Sequence, residues 1–188
     1  MQLISDEYRK LNKKLHETNA GYGAIGGEHV ERILNLCKLY NTKDILDYGC
    51  GKGTLAINFP FNIHQYDPAV EQHSALPEPA DILACTDVLE HIEPEYIANV
   101  LDHISSLIKK VAYFVISISP AKKHLPDGRN AHILLRPANW WLDEFNKRFD
   151  VLNFMKSDMG CYFLVEPKKE FNHGGEVHPE SDKEAKCA

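Results

Sequence analysis

The sequence predicts an α/β fold, a three-layer sandwich on one sheet that is mostly parallel and ends in an antiparallel hairpin. Three observations point there. Apolar strand-like runs alternate with segments of helical periodicity, which specifies crossover connections and a parallel sheet. The first run, "ILDY" at 45–48, passes directly into the glycine-rich turn "GCGKG" and a short helix. The last two runs are joined only by "KSDMG", whose turn residues return the chain antiparallel.

Each element follows from its local pattern. Tyr8, Leu11 and Leu15 keep helical spacing, and Val30, Ile33, Leu34 and Cys37 do so again after the loop "NAGYGAIGG", so two helices precede the first strand. "DILDY" is a strand, "TLAINF" a stunted helix and "NIHQYD" a second strand ending at Asp67. This unit is close to the shortest that a right-handed crossover allows. Residues 68–80, "PAVEQHSALPEPA", carry three prolines and little periodicity. A full doubly wound fold has a helix, a third strand and another helix there, so the fold is shortened around its third strand. "DILACTDVLEH" then reads as a buried strand with an acidic exit, and Ile97, Val100, Leu101, Ile104, Leu107 and Ile108 as an amphipathic helix. "VAYFVISIS" is apolar enough for a strand buried on both faces. The polar loop "PAKKHLPDGRNAH" leads to a helix in "RPANWWLDEFNKRF", where Pro137 suits the first turn, and "DVLNFM" and "CYFLVE" form the closing hairpin. The chain thus divides into a cap segment at 1–24, one domain at 25–166 and a polar, aperiodic tail at 167–188 expected to be disordered.

Composition bounds the function. A length of 188 residues suits one domain with a substantial core, and 44% hydrophobic with 26% charged residues is the balance of a soluble globular protein. No apolar run approaches the roughly 20 residues that span a bilayer and no signal-peptide pattern opens the chain, so a cytoplasmic protein that does not enter the membrane is expected. A formal charge of -6 argues against extended nucleic-acid binding, which needs clustered Lys and Arg, but leaves room for a nucleotide or a strand end. Cys37, Cys50, Cys85, Cys161 and Cys187 lack CxxC spacing and read as free thiols. Nothing in the pattern specifies an oligomeric state.

The glycine turn narrows the ligand. "GKGTLA" satisfies the GxGxxA form of the dinucleotide fingerprint, which keeps an NAD-dependent oxidoreductase open. In such a site the turn receives a pyrophosphate, and Asp47, two residues before Gly49, opposes that anion. S-adenosylmethionine (SAM) reverses the argument, because it has no phosphate and carries a sulfonium and an ammonium. Asp67, at the end of the next strand, is placed to accept hydrogen bonds from ribose hydroxyls. Both carboxylates have a role with this ligand.

"ILDYGCGKG", "YDPA" and "ALPEPADILACTDVLEHIEPE" together resemble, in order, the glycine-rich, ribose-acid and fourth-strand motifs of class I SAM-dependent methyltransferases. The resemblance covers about residues 25–166 and implies a Rossmann-like sheet and a SAM-binding domain there. It implies a methionine-side loop at Gly49, Cys50, Gly51 and Gly53 above Asp47, and a ribose site at Asp67 and Pro68. It also puts Ser74, Ala75 and Leu76 at the adenine, and Asp87 and Val88 beside the cofactor. Tyr8, His16 and Tyr22 lie in a segment that folds over the cofactor in similar enzymes.

Candidate chemistry concentrates in "DVLEHIEPE". Asp87, Glu90 and His91 are spaced to share one side of a helical turn, and His132 arrives after the next strand. Carboxylates with two imidazoles form a plausible divalent site for Mg, Mn or Zn. The set resembles the acid-x-x-Glu-His motif and distal His of metal-assisted O-methyltransferases of ubiquinone biosynthesis and of small-RNA 3′ ends, with Asp87 where the motif has a Glu. Without a metal, Glu90, His91 and His132 remain the candidate catalytic groups. Lys122, Lys123, Arg129 and Arg136 are candidates for an anionic group, and Trp140 and Trp141 for a substrate wall. His29, His64, His103 and His124 read as ordinary, and His173 and His178 lie in the tail. The expected function is methyl transfer from SAM to an oxygen of a small polar molecule. A nucleotide or RNA-end 2′-O-methyltransferase is the alternative enzyme, and a non-catalytic SAM-binding module acting through a partner is the alternative of another class.

Overall fold

The computed structural model describes residues 1–19, 21–23 and 26–168. In chain order the elements are α1 (Asp6–Thr18), α2 (Val30–Leu39), β1 (Ile45–Tyr48), α3 (Thr54–Ile57), β2 (His64–Tyr66), β3 (Ala80–Thr86), α4 (Ile97–Leu107), β4 (Ile108–Ser117), α5 (Ala138–Asn146), β5 (Phe149–Lys156) and β6 (Gly160–Pro167). They form one six-stranded sheet in the order β2-β1-β3-β4-β6-β5. The first four strands run parallel, and β6 pairs antiparallel with both β4 and β5.

The three layers follow from strand alternation. On β3 and β4, Ile82, Ala84, Val111 and Tyr113 face one side and pack with Ile33, Leu36 and Cys37 of α2 and Leu55 of α3. Leu83, Cys85, Ala112 and Phe114 face the other side and pack with Val100, Leu101 and Ile104 of α4 and Trp141 and Phe145 of α5. Both faces of the central strands are thereby covered, as parallel strands require. Ile108 ends the predicted helix but begins β4, because its backbone is already extended.

The shortening falls where the prolines sit. Between β2 and β3 the chain forms only a 3-10 turn at Glu71–His73, so among the described residues no strand lies beyond β2. β1 therefore exits between β2 and β3, at the point where strand order reverses and ligands bind in open α/β sheets.

α1 begins at Ser5, whose hydroxyl accepts the Tyr8 N–H at 3.0 Å, with Asp6 and Glu7 favourably placed against the helix dipole. Its inner face, Tyr8 and Leu15, packs with Tyr22 on Leu125 and Ala131 of the β4–α5 loop, making a small second core. Cys37, Cys50, Cys85 and Cys161 are buried free thiols. Among the described residues no helix is long and apolar enough to cross a membrane. The tail read at 167–188, with His173, His178 and Cys187, lies from residue 169 onward outside the described residues.

Candidate active site

A cavity of about 380 Å³ opens at the C-terminal ends of β1 and β3, within the size range of cofactor sites. Of the residues singled out in the sequence, Gly49, Gly51, Asp67, Pro68, Asp87, Val88, His91 and His132 line it. Tyr8, Asn12, His16 and Tyr22 roof it from α1 and the loop that follows.

Asp67 organises the floor. Its Oδ2 accepts the Gly51 N–H at 3.0 Å and its Oδ1 the Ala69 N–H at 2.8 Å, while the Tyr66 carbonyl accepts from the N–H groups of Gly49 and Cys50. The turn is thereby tied to the end of β2. Each Asp67 oxygen keeps acceptor capacity, since a carboxylate oxygen accepts about two bonds. Gly49 has φ 80°, and a Cβ there would lie 2.4 Å from a Val88 methyl. Gly51 packs against the backbone of Gly23, which leaves no room for a side chain.

Gly49→Ala is accordingly expected to combine about 1–2 kcal/mol of left-handed backbone strain with about 1–3 kcal/mol of overpacking. Gly128 has φ 89° with nothing within 4 Å of a built Cβ, so Gly128→Ala isolates the backbone component. Thermal melts of the two variants should differ by the Val88 clash. Equal melting temperatures would show that Val88 yields.

The second feature is a cluster of Asp87, Glu90, His91 and His132, whose candidate ligand atoms all lie within 4.8 Å of one another. Sequence spacing suggested a helical face, but only a 3-10 turn spans Leu89–His91, and Asp87 sits at φ 60°. A non-glycine residue there stores roughly 1–3 kcal/mol of strain, a cost typical of functional sites. His91 Nδ1 lies 2.8 Å from the Ala131 carbonyl and His132 Nδ1 lies 2.6 Å from the Ser119 carbonyl. A carbonyl can only accept, so both Nδ1 atoms carry protons and coordination of a cation falls to the Nε2 atoms. Tyr22 donates to Asn12 Oδ1, which turns its oxygen toward His91 Nδ1 at 3.3 Å.

Glu90 has no exposed surface. Its Oε1 accepts the Ser117 N–H at 2.6 Å, whereas Oε2 has no partner among the described residues. Burial, then the neighbouring Asp87 charge, hold its carboxyl well above the ordinary range. Burial lowers His91 to about 4, so its imidazole is neutral near pH 7. Two imidazoles and two carboxyl groups, each imidazole anchored through Nδ1–H on a carbonyl, fit a divalent cation with its usual outer contacts.

Besides the lining and roof residues named above, Lys122 and Lys123 line the cavity, and the other predicted residues do not. Asp47 lies on β1 before the turn, 4% exposed, in register with Gln65 of β2 and Ala84 of β3. Cys50 and Gly53 belong to the turn without facing the cavity, Gly53 capping α3. Ser74, Ala75 and Leu76 are exposed, and Ser74 and Leu76 border a separate outer cleft. Trp141 is a core residue and Trp140 packs on it. Arg129 pairs with Asp127 and Arg136 lies over Trp140, which leaves Lys122 and Lys123 as the basic residues at the cavity. Lys123 also donates to the Gly21 carbonyl.

Sequence reasoning missed Asn12, Ser5 and Glu93. The Ser5 amide and hydroxyl both donate to the Glu93 carboxylate, at 2.8 and 2.6 Å, and Tyr8 Oη donates to the His91 carbonyl at 2.7 Å. Ser5 followed by two acids was readable as a helix start, but its long-range partner leaves no local signal.

A family model described as a methyltransferase domain matches residues 17–158. No curated protein sequence matches significantly. The structure is similar to the 1,6-didemethyltoxoflavin-N1-methyltransferase of Burkholderia thailandensis, solved with 1,6-didemethyltoxoflavin and S-adenosylhomocysteine. In that case the TM-score is 0.60 at 14% identity, covering 90% of this chain and 93% of that one. An O-methyltransferase family protein from the same organism gives 0.61 at 12%, covering 90% and 64%. The N-methyltransferase NodS of Bradyrhizobium japonicum, in complex with S-adenosyl-L-homocysteine, gives 0.54 at 12%, covering 88% and 100%. At these identities the likeness is one of fold.

Proposed function

This chain belongs to the class I SAM-dependent methyltransferases, and from that premise we propose that it methylates an oxygen of a small polar acceptor with help from a divalent cation at Asp87, Glu90, His91 and His132. Residues 25–166 are the SAM-binding domain in this reading, and residues 1–24 are a cap over its cavity. Asp47, Gly49, Cys50, Gly51 and Gly53 form the methionine-side loop, Asp67 and Pro68 take the ribose, and Asp87 and Val88 sit beside the cofactor.

The cluster geometry supports an oxygen acceptor. A neutral amine is already nucleophilic, whereas a hydroxyl needs its proton removed before or during attack. A divalent cation bound among these four side chains would polarise an acceptor hydroxyl and lower its pKa. Ala131 and Ser119 fix the two imidazoles through their carbonyls, so the Nε2 lone pairs are oriented without rearrangement. The α1 roof, with Tyr8 and Tyr22 buried over the cavity, keeps water from the reacting atoms. Displacement from a sulfonium otherwise needs mainly alignment, which a cavity roofed by α1 supplies.

The test is product formation from a vicinal diol or catechol panel and an amine panel, with and without chelator, after a Mn titration. Oxygen methylation that falls at least about 100-fold with chelator is expected. Transfer to amines, insensitive to chelator, would sink the oxygen and cation reading while leaving the methyltransferase intact.

A further inference from the structure

We propose that Leu3 and Ile4 form the outer wall of the adenine site in place of the missing third strand, held there by Glu93 as a positioning residue. The assignment rests on the cofactor placement given above.

The segment that the family resemblance assigns to the adenine has moved away from the cavity. Ser74, Ala75 and Leu76 are exposed, Leu76 at 72%, and the Ser74 hydroxyl is spent on the Glu71 carbonyl. Leu3, Ile4 and Pro68 border both the central cavity and the outer cleft that Ser74 and Leu76 line, so they form the partition between the two. Beyond Asp67, the cavity continues between Leu3, Ile4, Ala69, Val88, Ile92 and Val100. Leu3 packs in one apolar cluster with Val88, Ile92 and Val100, a surface without charge that suits the face of a purine.

A wall made from residues outside any helix or strand needs fastening, because no ladder of its own holds it in place. Here the segment is tied at both ends. The Ser5 amide and hydroxyl donate to the two oxygens of Glu93, which is 9% exposed, and Asn99 Nδ2 donates to the Gln2 carbonyl at 2.9 Å. Charge-assisted bonds shielded from water are the strong kind. The same Ser5 hydroxyl caps α1, so the wall and the roof helix are set by one residue.

The experiment compares wild type, the double variant Leu3→Ser with Ile4→Ser, and Glu93→Gln by calorimetric titration. The ligands are S-adenosylhomocysteine, 5′-methylthioadenosine, which keeps the adenosine half but lacks the amino acid, and Mn. The double variant should bind both adenosine ligands about 10- to 30-fold more weakly and by the same factor, with Mn affinity within about twofold of wild type. Glu93→Gln should weaken both adenosine ligands equally, by a smaller factor, with Mn again unmoved. Unchanged binding of both adenosine ligands, or a loss confined to S-adenosylhomocysteine, would overturn the assignment. Failure of the wild type to bind either ligand would overturn the cofactor placement and the wall with it. Leu3 and Ile4 are only partly buried, so the double variant is expected to fold, and a thermal melt verifies it.

Discussion

Glu90→Gln is expected to lower methyl transfer about 1,000-fold while changing the stability of the cation-free protein by no more than about 1 kcal/mol. The side chain is fully buried, with Oε1 on the Ser117 amide and Oε2 unpartnered among the described residues. Burial and the Asp87 charge push the carboxyl well above its ordinary range, which favours the neutral form when no cation is bound. Gln has nearly the same shape, keeps an acceptor for Ser117 and is neutral, as the protonated Glu90 is. Folding therefore loses little. A cation loses a charged ligand that no other group can replace, and Mn affinity should fall by about 100-fold or more. Melting, Mn calorimetry and product assays separate the possibilities. A large fall in melting temperature would make Glu90 a packing residue, and full activity at unchanged Mn affinity would remove it from the site.

Much of the fold was legible because strand alternation and helical periodicity are local. "ILDY" and "DILACT" are buried on both faces and read as continuous apolar runs, and the prolines at 68, 77 and 79 marked where no strand forms. The site was legible as a set of residues but not as a geometry. Asp87, Glu90 and His91 converge, yet through a left-handed residue and a 3-10 turn that spacing alone does not distinguish from an α-helical turn. The contacts that orient them come from far along the chain: the Ala131 carbonyl on His91 is 40 residues away and Glu93 on Ser5 is 88. Such closures are set by topology, and no window of sequence contains both partners. The same holds for Leu3 and Ile4, whose apolar character says nothing about which gap in the sheet they cover.

Asp47→Asn should both stabilise the cofactor-free protein near pH 8 and weaken its hold on the cofactor, and the two effects share one cause. Asp47 is 4% exposed, and burial, then the Asp67 charge, push its carboxyl up to about 7. A folded pKa raised above the unfolded one, near 3.8, gives stability that is complete below the unfolded value and lost as pH rises through about 7. Above that the wild type carries a buried anion that the Asn variant lacks. A shift of about three units corresponds to roughly 4 kcal/mol, and an unpartnered amide returns about 1–3 of it at every pH, so the variant gains roughly 1–3 kcal/mol near pH 8 and loses roughly 1–3 kcal/mol near pH 4. The cofactor acts in the opposite direction. Its ammonium and sulfonium favour the ionised carboxylate, so wild-type affinity should fall up to about tenfold per pH unit below 7, whereas the variant should be nearly flat. Above pH 7, loss of a charge attraction of about 1.4–2 kcal/mol would weaken the variant roughly 10- to 30-fold. Melts at about pH 5 and pH 8, with S-adenosylmethionine titrations across that range, check both halves. A variant that melts lower at pH 8 would make Asp47 a structural tie instead. A pyrophosphate ligand responds with the opposite sign, binding tighter once the carboxylate is gone, so repeating the titration with NAD separates the two ligand classes that a glycine turn alone admits.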